Sequence, residues 1–199
     1  MTSQDRKDVF LNVPFDVAYE PLFIALVGTL VFLGRRPHCV LEIPETGDGR
    51  LARILELMRE CPVSIHDLSR VGTPVRFNMP FELGLACGLR LARPADYEVL
   101  VFDAKPFRID RTLSDYKGRD PLIHRNRAAG MVTCLLDAFE ATSAVPVAQV
   151  RKEVGTLQDS AEILKREYMV ATVFTPSLFR AVVGAATNIG MQSGLITPR

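Results

Sequence analysis

Four short apolar runs recur through the first hundred residues with helical stretches between them, and this alternation restricts the chain to a small group of α/β folds. Asp8–Val13 (DVFLNV) closes on Asn12 and Pro14 and reads as a buried strand. Tyr19–Leu33 (YEPLFIALVGTLVFL) is long and apolar. Pro21 fits a first helical turn and Gly34 a C-terminal stop, so a helix buried over much of its surface is expected there. His38–Ile43 (HCVLEI) reads as the second strand. After the loop PETGDG, a helix from Arg50 to Glu60 carries Leu51, Ile54, Leu55 and Met58 on one face. Pro62–Leu68 (PVSIHDL) and Tyr97–Phe102 (YEVLVF) read as the third and fourth strands. Between them Met79–Ala92 reads as a helix, with Asn78 as its N-cap and Pro80 in its first turn. Gly84 and Gly88 fall on one face of it and are expected to let it approach the sheet closely. Right-handed crossovers between such units make the sheet parallel. The expected architecture is α/β: a flavodoxin-like parallel sheet of order 2-1-3-4, with room for a fifth strand, followed by a C-terminal helical appendage.

The pattern changes after Asp103. Lys105–Arg127 is polar and turn-rich, with seven Lys and Arg against three Asp, a local excess of +4. Ala128–Ala141 reads as a helix with Met131, Leu135 and Phe139 on one face, and Ser143–Pro146 as a hinge. Val147–Tyr168 and Pro176–Ile189 read as two more helices. Two domains are therefore expected, an α/β domain over 1–142 and a helical extension over 143–199 through which copies could associate.

Composition narrows the function classes. A hydrophobic content of 48% excludes a disordered chain, and a net charge of +1 argues against nucleic acid as partner. The longest apolar run, Pro21 to Gly34, is too short for a membrane span. The opening MTSQDRKD mixes charges of both signs, unlike a signal peptide, so a cytoplasmic protein is expected. Cys39, Cys61, Cys87 and Cys134 form no CxxC pair and read as reduced core residues. His38, His66 and His124 lack metal-ligand spacing, so no metal site is expected.

In open parallel sheets ligands bind beyond the carboxyl ends of the strands. Those ends are polar here: Asn12 followed by Phe15 and Asp16, then His66, Asp67 and Ser69, then Asp103. Glu82, expected in the first turn of the helix after the third strand, faces the same edge, where the helix N-terminus favours its ionised form. Such a carboxylate beside a sugar C1 can stabilise or attack an oxocarbenium-like centre. Asp67 could orient a ribose hydroxyl or assist proton transfer, and Phe15 and Phe81 could stack on a base. The alternative is that Asp67 and Ser69 cap turns and Glu82 complements the helix dipole. The stretch TGDG before the second helix could meet a phosphate or form a plain turn.

Arg76–Gly84, R-F-N-M-P-F-E-L-G, resembles the R-x-N-V-x-F-E-L-G signature of bacterial TIR-like predicted nucleotide-binding domains. VSIHDLS looks like the strand that precedes that signature. VFLNVPFD is similar to the opening of TIR-like domains and of nucleoside 2-deoxyribosyltransferases, and LSDYKG (Leu113–Gly118) is similar to their S-D-x-x-G element. The resemblance covers about residues 8–125. It implies a flavodoxin-like sheet that binds a nucleotide or nucleoside. It also implies cleavage of an N-glycosidic bond, either by hydrolysis of NAD or by transfer of deoxyribose. Glu82 would take the place of the motif's catalytic Glu, and Asp67 that of the transferase's acid. From the chain's own polar edge and aromatics, and not from the family, substrate contacts are expected at Asn12, Phe15, Asp16, Ser69, Asn78, Phe81 and Asp103. No cofactor is implied, since NAD would enter as substrate. The transferases carry D-x-G-T just before the Glu, whereas this chain has Arg76, Phe77 and Asn78. The missing acid leans the reading towards the TIR-like branch, and analogy with that branch alone implies bacterial antiviral defence. Many members of that branch only recognise a nucleotide or assemble, so a non-catalytic sensor and an assembly module stand beside the hydrolase.

Overall fold

The computed structural model describes residues 7–42, 49–70, 77–116 and 120–197. TGDG up to position 48, Arg76, and positions 117–118 of LSDYKG lie outside the described residues. The chain divides into two compact units, one from Met1–Pro14 with Arg36–Arg125 and the other from Phe15–Arg35 with Asn126–Arg199.

The first unit is a five-stranded, wholly parallel sheet. Its strands are β1 (Asp8–Asn12), β2 (Arg36–Cys39), β3 (Val63–Asp67), β4 (Glu98–Asp103) and β5 (Leu122–Ile123), in the order β2-β1-β3-β4-β5. This is the expected flavodoxin-like arrangement, with the fifth strand present. Helices α2 (Arg50–Glu60) and α3 (Asn78–Ala92) pack against the sheet and each other. They enclose Phe10, Ile54, Met58, Met79, Leu83, Ala86, Val99 and Val101, and Ile109 of the short helix α4 (Arg108–Thr112) joins this core. Strand alternation therefore turns Phe10, Asn12, Ser64, His66, Val99 and Val101 to the α2/α3 face, and Leu11, Ile65 and Asp67 to the other.

Two local expectations are corrected. The second strand spans Arg36–Cys39 and yields to a 3-10 turn at Val40–Glu42, instead of running on from His38 to Ile43. Earlier pairing begins where Arg36 N donates to Lys7 O at 2.8 Å, and Pro37 is tolerated because β2 is an edge strand. The strand ends where the Glu42 carboxylate accepts from Cys39 N at 3.0 Å and curls the chain back. Gly84 and Gly88 do not face the sheet either. Both are exposed, and a Cβ placed on either meets nothing within 4 Å. The buried side of α3 is formed by Met79, Glu82, Leu83 and Ala86.

The same corner holds a pH-sensitive tie. Asp8 accepts from Arg36 Nε at 2.6 Å and Nη2 at 2.7 Å, and pairs with His38 Nε2 at 2.9 Å, while His38 Nδ1 lies 3.2 Å from Glu42 Oε2. The Glu42 bond, opposed by burial and supported by Asp8, raises the His38 pKa above 6.5. Burial raises the Asp8 carboxyl, but its bonds from Arg36 and His38 outweigh this and hold it below 3.8. The His38 contribution is complete below pH 6.5 and fades as pH rises through its folded value. The Asp8 contribution is present above 3.8 and fades as pH falls through its folded value. Urea denaturation is expected to show wild type losing more stability than His38→Asn between about pH 6 and pH 9.

The second unit is helical: α1 (Glu20–Phe32), α5 (Ala128–Ala138), α6 (Val147–Glu167) and α7 (Pro176–Gln192). Twelve of the thirteen residues of α1 are buried, and it packs on α5, α6 and α7. Its end is a Schellman motif, with Gly34 at φ 69°, Gly34 N donating to Val31 O and Arg35 N to Leu30 O, each at 2.9 Å. Arg35 then lies over the Phe139 ring at 4.5 Å. The close helix contact falls at Gly28, where a Cβ would stand 2.6 Å from Leu157 Cδ2. Gly28→Val is expected to cost about 1–3 kcal/mol by overpacking, read from the urea midpoint. Among the described residues no helix is long and apolar enough to cross a membrane.

Candidate functional site

The carboxyl edge of the sheet carries Asn12, His66, Asp67 and Asp103 in the first unit, and the structure treats them differently. Asn12 and His66 are register partners on the α3 face. The Asn12 amide donates to His66 Nδ1 at 3.0 Å and to Met79 O at 3.2 Å, so it pins the first turn of α3 to two strands. His66 Nε2 lies 3.1 Å from Ser64 Oγ, and full burial lowers the imidazole pKa to about 3. With Nδ1 accepting, the neutral ring donates from Nε2. Asn12 is thus a positioning residue for α3.

Helix α3 begins one residue earlier than expected. Phe77 occupies the N-cap without a side-chain bond, and Asn78 is the first helical residue, so Asn78 is not the cap. Glu82 consequently opens the second turn, and no acidic residue stands in the first. It lies on the buried side of the helix at 9% exposure. Among the described residues its carboxyl makes no hydrogen bond or ion pair. Burial raises its pKa to about 7, partly offset by the charge of Arg50. Glu82 thus stands in the second turn instead of the first, and burial opposes the ionisation that a helix N-terminus was expected to favour. Phe81 is exposed and about 100° round the helix from Glu82, on its solvent side.

The other two carboxylates are engaged. Asp67 is fully buried on the face opposite α3, where Oδ1 accepts from Ser69 N at 2.8 Å and Oδ2 lies 3.2 Å from His124 Nε2. Asp67 thus closes an Asx turn, and strand alternation separates it from Glu82 by the sheet. Asp103 is gripped by Arg108, with Nε donating to Oδ2 at 3.0 Å and Nη2 to Oδ1, while Lys105 N donates to Oδ1 at 3.1 Å. The same guanidinium donates to Ser69 O at 3.2 Å and to Leu68 O. One side chain thereby locks the exits of β3 and β4 together. The Ser69 hydroxyl is buried and has no protein hydrogen-bond partner among the described residues.

Phe15 and Asp16 belong to the helical unit. Phe15 packs edge-on to Phe23 and Phe174, with ring centres 6.1 and 5.3 Å away, and Asp16 Oδ1 caps the 3-10 turn at Tyr19 N, 3.1 Å away. Arg108 and His124 escaped sequence reasoning as site-forming residues, and His66 was read only as a polar strand end. Arg108 sits in a basic stretch without periodicity, and the histidines have partners far along the chain. Burial pushes the thiols of Cys39 and Cys61 to about 12, which suits inert core positions. Among the described residues no group of three or more His, Cys, Asp or Glu could hold a metal ion.

Comparison with protein-family models gives no match, and comparison with curated proteins gives none.

Proposed function

We propose that this chain hydrolyses an N-glycosidic bond of NAD or a related nucleotide, with Glu82 as the reacting carboxyl. The observation that carries the reading is a buried carboxyl with no ion-pair or hydrogen-bond partner among the described residues and a pKa of about 7. Desolvating an acid without a partner costs stability, and such perturbed groups concentrate where chemistry is done. The R-F-N-M-P-F-E-L-G segment and the 2-1-3-4-5 sheet support a TIR-like relationship, and through it a place in bacterial defence in the cytoplasm. In the proposed reaction the C1–N bond breaks with its electron pair leaving on the nicotinamide nitrogen. Ionised Glu82 balances the positive charge at C1, and water adds to C1 and loses a proton. NAD and water give nicotinamide, ADP-ribose and a proton. Asp67 and Asp103, each engaged internally, hold the rim in shape.

Nicotinamide release from NAD, followed at high protein concentration, tests this. Turnover is expected in wild type and not in Glu82→Gln. Since the ionised carboxylate is the active form, kcat/KM is expected to rise with pH through about 7. Equal turnover in both proteins removes Glu82 from the chemistry. The second reading is a sensor that binds a nucleotide without cleaving it. It is favoured by the internal pairing of the two other rim carboxylates, which leaves Glu82 alone to act. A nucleotide that raises the melting temperature while NAD persists selects the sensor.

A further inference from the structure

The solvent side of α3 breaks the usual pattern of a surface helix. Phe77, Phe81, Gly84, Gly88 and Leu91 follow one another at steps of 4, 3, 4 and 3 residues, which aligns them on one stripe opposite the buried side. Phe77 is 75% exposed, Phe81 53% and Leu91 84%, and the two glycines are exposed as well. No charged residue lies on the stripe, although a surface helix normally turns charged and polar residues outward. The glycines are unexplained by the unit itself, because a Cβ on either would meet nothing within 4 Å. Each costs roughly 1 kcal/mol of helix stability relative to alanine. Three large apolar side chains and two bare backbone positions together describe a surface shaped for close approach by something outside the unit.

The stripe is its own complement. If a second α3 crosses antiparallel about a two-fold axis at Gly84, residue numbers facing each other sum to about 168. Gly84 then meets Gly84, Phe81 meets Gly88, and Phe77 meets Leu91. Each Phe81 ring falls over the bare backbone of Gly88, the knob-and-hole pairing that small residues permit between helices, and each Phe77 ring meets the apolar Leu91 side chain. The antiparallel setting also opposes the two helix dipoles favourably. A self-complementary patch is what a two-fold interface requires. Aromatic side chains bury ~150–250 Å² each. From the exposures above, the stripe offers about 400–500 Å² per copy, against ~800 Å² per partner in a stable interface. The geometry points to a weak, reversible homodimer of this chain formed through the α3 stripe, with Phe81 of each copy seated on Gly88 of the other. Glu82 lies on the other side of the helix, so this inference stands apart from the glycosidase reading.

Sedimentation velocity of the full chain across micromolar to near-millimolar concentration tests it. The weight-average mass of wild type is expected to rise towards twice the monomer value. Gly84→Gln and Gly88→Gln fill open positions and replace poor helix formers. Each is expected to melt at or above wild type at low concentration while weakening association by about tenfold or more. A wild type that stays monomeric throughout overturns the inference. So does association that survives both substitutions in proteins that melt normally, since the contact then lies elsewhere.

Discussion

Glu82→Gln is expected to melt higher than wild type at pH 8 and, on the proposed glycosidase reading, to lose nicotinamide release. The folded-state pKa of Glu82 is raised to about 7 from 4.5, so the folded protein holds this proton more tightly than the unfolded chain does. For a carboxyl raised in this way the penalty is absent below the unfolded value, grows as pH climbs through the interval, and is complete above the folded value. At pH 8 the side chain is charged in both states, and folding strips it of much of its water with only the charge of Arg50 to offset the loss. At about 1.4 kcal/mol per pK unit the penalty is roughly 3 kcal/mol. A neutral amide of the same shape removes most of it, at a smaller cost for burying its own polar atoms. The expected gain is about 2 kcal/mol, or roughly 4–8 °C at this chain length. At pH 4.5 the two proteins are expected to melt together. Thermal unfolding at the two pH values checks this without reference to any substrate. A variant that is less stable than wild type at pH 8 means that the carboxyl has a stabilising partner in solution.

Arg108→Met carries the other large effect. It leaves Asp103 fully buried and without its counter-ion, and it takes donors from Ser69 O and Leu68 O. Breaking a buried pair from one side costs about 3–5 kcal/mol, because the remaining charge cannot regain its water. Arg108→Lys is expected to recover only part of this. A single ammonium cannot span both carboxylate oxygens and two carbonyls in the plane that the guanidinium fills. Pairing Arg108→Met with Asp103→Leu is expected to return much of the loss, since no charge is then left buried. The urea midpoints of the four proteins form a cycle whose interaction energy measures the clamp. A near-additive cycle would mean that the Asp103 pairing contributes little.

The order of the sheet was legible in the chain because strand, crossover and strand follow one another so closely that few parallel topologies remain. Gly34 was legible as a helix stop because the left-handed turn it adopts is a local matter. What could not be read depends on neighbours far along the chain. Leu122–Ile123 is too short to show a period, and its strand identity comes from pairing with Phe102 and Asp103. Gly84 and Gly88 share a helix face in any reading, but which face points inward is decided by the packing of Met79, Leu83 and Ala86. Glu82 stood out by its place after the third strand and by its motif, yet the rise in its pKa follows from how much water is excluded around it. Asp67 and Asp103 stood out as polar strand ends, and neither His124 nor Arg108 could be assigned to them from spacing.

Helix α1 leaves the ribosome about a hundred residues before the first of the helices that cover it, because its partners α5, α6 and α7 lie at the far end of the chain. At typical rates of synthesis the delay is on the order of ten seconds. Throughout it a segment apolar on every side has none of its own covering helices available. Nascent chains of this protein should therefore be clients of holding chaperones, and fragments ending at residue 142 should be recovered in inclusion bodies, because they keep α1 and lack both α6 and α7.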